Sequence, residues 1–268
     1  MMSNRNNNFV NIKPQILITR SKDSAEEFAR DLTESSSKLI FMPTIETYPL
    51  TIKSDELSKL KAFASYDYLI FTSVNGVKYF FDKFTNGNSV KSDRVVVAAV
   101  GSKTAEAISQ KGWNVDITPD EFTGEGLLKI FDTLDLKGSR ILIPGSAISS
   151  DTLPKGLKRF GAEVDFIPIY NTGTIQLPKV ADVIAKVKEN KPDIFVFTSP
   201  SSVKGFLELL SINDENLYFT DTIVVAIGKV TEKFIYSLGV NNVVTPDEFT
   251  IAGVINLLKN KILRKESK

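Results

Sequence analysis

Small and hydroxyl-bearing residues follow nearly every predicted strand of this 268-residue chain. The turns are Thr19-Arg20-Ser21, Thr72-Ser73-Val74-Asn75-Gly76, Gly101-Ser102-Lys103-Thr104, Gly145-Ser146, Thr198-Ser199-Pro200-Ser201-Ser202 and Gly228-Lys229-Val230-Thr231. Each turn offers hydroxyl groups and free backbone N–H groups at the positive end of a helix dipole. Six such turns predict a cleft for a ligand that carries several anionic groups. Helix capping alone also explains any single turn, because Ser and Thr are favoured N-caps.

The composition excludes most of the common catalytic groups. The chain has neither Cys nor His, which rules out disulfides, thiolate nucleophiles, zinc–thiolate sites, imidazole proton shuttles and Ser-His-Asp triads. Proton transfers must therefore use Asp, Glu, Tyr, Lys or water. No acidic cluster has the spacing of a Mg²⁺ site, and no strand is followed by a dinucleotide-binding G-x-G-x-x-G motif. We therefore predict no metal.

Charge and hydropathy argue against two further classes of partner. Lys and Arg total 33 against 32 acidic residues, a net charge of +1, whereas a general nucleic-acid or membrane-surface binder needs a basic excess. No apolar run approaches the roughly 20 residues that span a bilayer. The polar residues 1–14 are interpreted as a flexible leader without a secretory signal. The predicted location is the cytoplasm.

The second half of the chain repeats the first. Phe71-Thr72-Ser73 returns as Phe197-Thr198-Ser199 at an offset of 126, and the hexapeptide Thr118–Thr123 returns unchanged as Thr245–Thr250 at an offset of 127. The Gly-x-x-Thr turn at Gly101 returns at Gly228. A weaker match links Leu17-Ile18 to Leu142-Ile143 at an offset of 125. This period is too long for a solenoid and indicates two copies of a domain-sized unit.

Each copy alternates short β-branched runs with helical stretches. Continuous apolar runs such as Val95–Val100 suit a parallel sheet that is buried on both faces. We therefore predict the α/β class, with two open sheets flanked by helices. The last predicted strand of the first copy is Val115–Thr118. Segments 43–49 and 168–174 are extended but contain Pro or Gly, so they are predicted to be interdomain crossings rather than central strands.

Several segments together resemble the uroporphyrinogen-III synthase family, over nearly the whole chain from Gln15 to about Leu258. The segments that carry the resemblance are Leu17–Arg20, Phe71–Gly76, Val100–Ala105, Leu153-Pro154, Phe160–Val164, Ile169–Thr172, Phe197–Pro200 and Ile227–Thr231. The sequence departs from the family pattern at Lys229, where Pro commonly follows the Gly, and at 145–150, where basic residues are common.

The resemblance implies two flavodoxin-like domains with parallel sheets, joined by a two-stranded β-ladder. On this sequence it places residues 15–42 and 176–268 in one discontinuous domain and residues 52–165 in the other. Residues 43–51 and 166–175 would be the interdomain linkers. The repeat and the Pro-bounded segments agree with this division but are also compatible with two tandem domains.

The implied reaction converts the linear tetrapyrrole hydroxymethylbilane to cyclic uroporphyrinogen III without a cofactor, with loss of water and inversion of the last pyrrole ring. The substrate carries eight carboxylates, which suits hydroxyls and helix N-termini. Because the substrate cyclises unaided to the wrong isomer, the main task of the enzyme is to control its conformation. The resemblance also implies a monomer, in transient contact with hydroxymethylbilane synthase.

The resemblance assigns roles to nine residues. Tyr170 is the candidate for assisting departure of hydroxide. The candidates for binding substrate carboxylates are Thr72, Ser73, Thr104, Ser199, Gly228 and Thr231, with Arg20 and Asn75 beside them. The alternatives are a two-domain binding protein that closes on a small anionic ligand without chemistry, and a diverged regulatory module.

Overall fold

The computed structural model describes residues 13–20, 25–32, 37–85 and 94–263, and the predicted leader lies almost entirely outside them. The chain divides into two compact units. Unit 1 contains the described residues up to Glu46 and from Gly173 onward, and unit 2 is Thr47–Thr172. Both boundaries lie within the predicted linker segments.

Ten strands and eleven α-helices are found in the described residues. The strands are β1 (Gln15–Ile18), β2 (Lys38–Phe41), β3 (Ile45–Pro49), β4 (Tyr68–Phe71), β5 (Val96–Ala99), β6 (Arg140–Ser146), β7 (Glu163–Thr174), β8 (Ile194–Phe197), β9 (Ile223–Ala226) and β10 (Val243–Val244). The helices are α1 (Glu26–Leu32), α2 (Ser54–Lys61), α3 (Val74–Phe84), α4 (Ser102–Gln110), α5 (Gly124–Phe131), α6 (Thr152–Arg159), α7 (Ala181–Glu189), α8 (Pro200–Leu210), α9 (Glu215–Phe219), α10 (Lys229–Ser237) and α11 (Ile251–Leu257). No helix in the described ranges combines the length and apolar character that crossing a membrane requires.

The sheet of unit 1 has the strand order β2-β1-β8-β9-β10, and all four neighbouring pairs are parallel. This is the flavodoxin-like order 2-1-3-4-5. Alternate residues of β1 enter different cores, because Ile16 and Ile18 pack on one face while Leu17 packs on the other. Burial on both faces explains why these strands are apolar throughout.

The sheet of unit 2 has the strand order β3-β7-β6-β4-β5, and β7, β6, β4 and β5 are parallel. Its registers reproduce those of unit 1. Leu69 pairs with Leu142 and Val97, and the residue at its repeat position, Phe195, pairs with Leu17 and Val224. The two sheets therefore follow the sequence offsets of 125 to 127, and the predicted α/β class with parallel sheets is confirmed.

The predicted strand Val115–Thr118 is shorter in the structure than expected. Val115–Thr118 forms an isolated parallel bridge, between Ile117 and Ala98. In unit 1 the N–H of Val224 donates to the carbonyl of Asn242, as in a regular ladder. The equivalent Val97 N–H donates to the Asp116 carboxylate, at 2.7 Å. The side chain thus replaces a ladder bond and shortens the strand.

The Pro-bounded segments form strands, since 43–49 contains β3 and 168–174 is the last part of β7. β7 continues through Pro168 with β6 on one side and β3 on the other, so the expectation that this segment avoids a central position is wrong. The register shifts next to Pro168, which pairs with Gly145, while Tyr170 pairs with Ser146. A bulge is a position where a sheet tolerates Pro. The role of β3 and β7 as a ladder between domains stays a prediction.

Candidate functional site

The carboxyl end of β4 in unit 2 leads directly into the N-terminus of α3. Ser73 is the N-cap of this helix, and its Oγ accepts a hydrogen bond from the Gly76 N–H at 3.0 Å. A side chain at Gly76 would begin 3.2 Å from the carbonyl oxygen of Pro144 in β6. The small residue therefore lets α3 start close to the sheet, which holds Ser73 at its edge.

Tyr170 lies immediately after the bulge in β7, and its hydroxyl oxygen is 2.8 Å from Ser73 Oγ. The residue is 5% exposed. Its ring stacks on Tyr79 of α3, with ring centres 5.3 Å apart and planes inclined by 12°. The Tyr79 hydroxyl in turn donates to Thr47 Oγ1. Tyr170 is thus held at both its ring face and its hydroxyl group.

The Tyr170–Ser73 hydrogen bond permits a specific placement of protons. Ser73 Oγ already accepts from the Gly76 N–H, and a hydroxyl has one proton and two acceptor positions. When Ser73 donates its proton to the Tyr170 oxygen, the phenol proton is free to donate to a ligand. The same bond would stabilise a phenolate after that proton has left.

Thr72 and Asn75 flank this turn and are partly exposed. Neither side chain makes a hydrogen bond to another part of the described structure, and both remain available for a ligand. Four of the nine predicted site residues, namely Tyr170, Thr72, Ser73 and Asn75, therefore lie around one strand–helix turn of unit 2.

Thr104 and Thr231 occupy the same position in the two units. Each is the third residue of its helix, α4 or α10, after an N-cap glycine, Gly101 or Gly228. The two residues are 4% and 3% exposed, and neither hydroxyl is hydrogen-bonded within the described residues. Because that part of the chain has no fully buried side-chain polar atom without a partner, these hydroxyls retain an opening to solvent. Such a group is poised to bind a ligand.

Ser199 and Arg20 each lie two residues beyond the carboxyl end of a strand of unit 1, and the two strands, β8 and β1, are neighbours in the sheet. Ser199 caps α8 in a reciprocal capping box with Ser202, in which the Ser199 hydroxyl oxygen accepts from the Ser202 N–H and keeps its own proton for another partner. Arg20 follows β1, and its guanidinium forms no ion pair or hydrogen bond with the described residues. Because the described residues do not pair its charge, Arg20 can bind an anion at the carboxyl edge of the sheet.

Lys229 begins α10 beside Gly228 but does not present a free charge. Its Nζ lies 2.9 Å from the Glu232 carboxylate, which also accepts a hydrogen bond from Thr245 Oγ1 at 2.8 Å. The hydrogen bond from Lys229, followed by that from Thr245, holds the pKa of Glu232 below its ordinary value. The charge of the lysine at this position is therefore paired with Glu232.

Three aromatic residues near these turns were not predicted as site residues. Tyr79 belongs to α3 together with Phe80 and Phe81, which are buried. Phe122 and Phe249 belong to the repeated hexapeptide and are 58% and 55% exposed. The unchanged repetition of that hexapeptide was the available signal for the last two.

Comparison with known proteins identifies the family. The family model described as uroporphyrinogen-III synthase HemD matches residues 26–256. The chain belongs to the uroporphyrinogen-III synthase family. The predicted resemblance is therefore confirmed.

Curated relatives support the same family over most of their length. The uroporphyrinogen-III synthase of Chlorobaculum parvum is 26% identical over 238 residues, which covers 87% of this chain and 93% of that protein. The uroporphyrinogen-III synthase of Synechococcus elongatus is 27% identical over 246 residues, which covers 90% of this chain and 92% of that protein.

Solved structures share the fold. A mutant uroporphyrinogen III synthase from Thermus thermophilus has a TM-score of 0.60 at 16% identity, covering 94% of this chain and 99% of that chain. Uroporphyrinogen-III synthetase from Helicobacter pylori also has a TM-score of 0.60, at 18% identity, covering 92% and 98%. The two-domain α/β architecture is common to these proteins and this chain.

Proposed function

We propose that this protein is a uroporphyrinogen-III synthase that converts hydroxymethylbilane to uroporphyrinogen III, with loss of water and inversion of the last pyrrole ring. Beyond family membership, one structural observation carries the proposal. In each unit one strand leads into an N-cap glycine and a helix, α4 or α10. The third residue of that helix, Thr104 or Thr231, has a hydroxyl without a partner among the described residues. Duplicated anion-binding turns suit a substrate with carboxylates along its whole length.

The carboxylates of the substrate would bind at the carboxyl edge of each sheet. In unit 1 the binding groups are the Arg20 guanidinium and the start of α10, with Gly228 and Thr231. In unit 2 they are Thr72, Asn75 and the start of α4, with Thr104. Hydrogen bonds from backbone N–H groups and hydroxyls satisfy carboxylate oxygens without a fixed counter-charge for each one.

Tyr170 would assist the first chemical step. The bond between the terminal methylene carbon and its hydroxyl oxygen breaks, and the hydroxyl leaves as water with the Tyr170 proton. The electron pair of the adjacent pyrrole stabilises the resulting cation, and Ser73 donates a hydrogen bond to the Tyr170 phenolate. The proton released when the ring closes restores the phenol, so one water is lost overall.

Inversion of the last ring requires conformational control more than further acid–base chemistry. The unaided reaction attacks the unsubstituted carbon, and the enzyme must hold the chain so that the substituted carbon is attacked first, which leads to a spirocyclic intermediate. Fixing carboxylates along the substrate restricts its conformations in this way. We therefore expect the binding residues to influence the isomer ratio as well as affinity.

The finer assignments belong to the same proposal. We propose that the protein acts as a monomer in the cytoplasm and receives its substrate from hydroxymethylbilane synthase, with transient contact between the two proteins. Sedimentation equilibrium at micromolar concentration tests the first point. Substrate transfer in the presence of an inert trapping protein tests the contact.

The function is tested by a coupled assay. Hydroxymethylbilane is generated in situ, the products are oxidised, and the type I and type III isomers are separated by chromatography. Type III product in proportion to added protein is the expected result. If the folded protein leaves only type I product and nevertheless binds the linear tetrapyrrole tightly, the alternative of a non-catalytic binding protein takes its place.

A further inference from the structure

The repeated hexapeptide forms the same loop in both units, and two of its six residues, Glu and the second Thr, have a structural role that the two units share. In unit 2, Thr123 caps α5 by accepting from the Gly126 N–H, and its own N–H donates to the Glu121 carbonyl at 2.7 Å. A side chain at Gly126 would begin 2.1 Å from that carbonyl oxygen. The equivalent residues of unit 1 make the same contacts: Glu248, Thr250 and Gly253.

The phenylalanine of the hexapeptide has no comparable structural role. Phe122 and Phe249 belong to none of the buried clusters, and more than half of each residue is exposed to solvent. A large aromatic side chain contributes most to stability when it is buried. Nothing in the capping geometry of the loop requires an aromatic residue next to Thr123 or Thr250.

The position of each phenylalanine links it to the candidate site. Cβ and Cγ of Phe122 lie 3.5 and 3.7 Å from where a side chain on Gly101 would begin, and those of Phe249 lie 3.3 Å from the same point on Gly228. These glycines are the N-caps of α4 and α10. Each phenylalanine therefore borders the helix start that carries Thr104 or Thr231.

We propose that Phe122 and Phe249 are substrate-binding residues, each of which packs against the face of a pyrrole ring. The inference rests on the proposed function. A pyrrole of this substrate combines a flat apolar ring with acidic side chains, so its recognition requires an aromatic surface beside an anion-binding group. Each helix start has both features, because the phenylalanine lies against the N-cap glycine, and the helix that follows carries a threonine that is more than nine-tenths buried and has no hydrogen-bond partner among the described residues.

The test uses the full chain and the coupled assay. Phe122→Ala and Phe249→Ala are expected to raise KM for hydroxymethylbilane about tenfold each and to increase the share of type I product. Both variants should unfold at nearly the wild-type temperature, because the lost rings are exposed. Phe→Tyr at either position should stay within about twofold of wild type, since the ring is retained. Phe→Leu should show most of the defect, although it keeps an apolar side chain.

Leu217→Ala is the matched control, because Leu217 of α9 in unit 1 is also exposed, at 70%, and lies at the other end of the strands. It is expected to leave KM and the isomer ratio unchanged. If both alanine variants keep wild-type KM and isomer ratio while the wild type makes type III product, the inference is wrong and the proposed function stands. If the wild type makes no type III product, the proposed function fails, and the inference fails with it. An alanine variant that does not fold leaves the decision to the leucine and tyrosine variants.

Discussion

Replacing Tyr170 with Phe removes one oxygen atom from the centre of the candidate site. The change deletes the 2.8 Å hydrogen bond to Ser73 and keeps the ring that stacks on Tyr79. Ser73 retains its capping bond from the Gly76 N–H. The variant therefore separates the chemistry of the hydroxyl group from the packing of the side chain.

The expected effects on stability and turnover differ greatly in size. Loss of one hydrogen bond between neutral groups costs about 0.5–1.5 kcal/mol of unfolding free energy, so unit 2 stays folded. Loss of a positioned proton donor lowers the rate by about 10²- to 10⁴-fold. We expect kcat of Tyr170→Phe to fall by at least about 10²-fold, with little change in KM, because Tyr170 is not needed for carboxylate binding.

Tyr66→Phe is the matched control. Tyr66 is 2% exposed, and its hydroxyl donates to the Asp165 carboxylate at 2.7 Å, at the amino ends of β4 and β7. Burial, followed by the bond to Asp165, raises the pKa of Tyr66 to about 12. Because hydrogen bonds to charged groups contribute about 1.5–3 kcal/mol, this control should lose at least as much stability as Tyr170→Phe. Its turnover should not change, since it lies at the edge without candidate site residues.

The assay is single-turnover and steady-state formation of type III product, with urea unfolding measured on the same samples. The reasoning is refuted if Tyr170→Phe retains wild-type kcat. It is also refuted if Tyr66→Phe and Tyr170→Phe lose turnover equally, because turnover would then follow stability rather than the hydroxyl group at the site.

Three further predictions concern the pH dependence of stability, the hexapeptide loop and the threonine hydroxyls. Burial opposes ionisation of Asp165, but hydrogen bonds, led by that from Lys59, outweigh it and hold the pKa of Asp165 below the ordinary value of 3.8. The wild type should therefore be more stable than Asp165→Asn at neutral pH, and this difference in unfolding free energy should disappear as the pH falls below about 4. A difference that stays constant across pH in urea titrations would contradict this. Gly126→Ala should destabilise the protein by about 1–3 kcal/mol through the backbone clash described above, whereas Gly124→Ala, whose added carbon would lie at an ordinary 3.5 Å from its neighbour, should be neutral or stabilising in thermal unfolding. Thr104→Val should raise KM for hydroxymethylbilane about tenfold, the effect of roughly 1.4 kcal/mol, without lowering the unfolding temperature, and a loss of stability with unchanged KM would show that the hydroxyl has a structural role.

Much of the architecture could be predicted from local patterns. Apolar runs with β-branched residues mark strands that are buried on both faces, and β8, from Ile194 to Phe197, is fully buried as this pattern requires. The repeat offsets also anticipate the pairing of Leu69 and Phe195 at equivalent registers. These features follow from the sequence because burial and strand periodicity act over a few neighbouring residues.

The interruptions of this regular pattern could not be predicted. Asp116 occupies the position of Val243, and whether its carboxylate bonds to solvent or to the Val97 N–H depends on how close the neighbouring strand lies. Pro168 argued against a central strand, yet the register shift at Gly145 accommodates it in a paired strand. Both outcomes depend on the partner strand, which is distant in sequence.

The candidate site shows the same division. The absence of His and Cys, the duplicated Thr-Ser and Gly-x-x-Thr turns and the candidate Tyr170 are properties of the sequence alone. Only the tertiary structure brings the Tyr170 hydroxyl to Ser73, which is 97 residues earlier in the chain, and leaves Phe122 and Phe249 exposed at two helix starts. Strand order and the bulge in β7 determine the position of Tyr170, and both result from the packing of whole sheets, which no local residue pattern encodes.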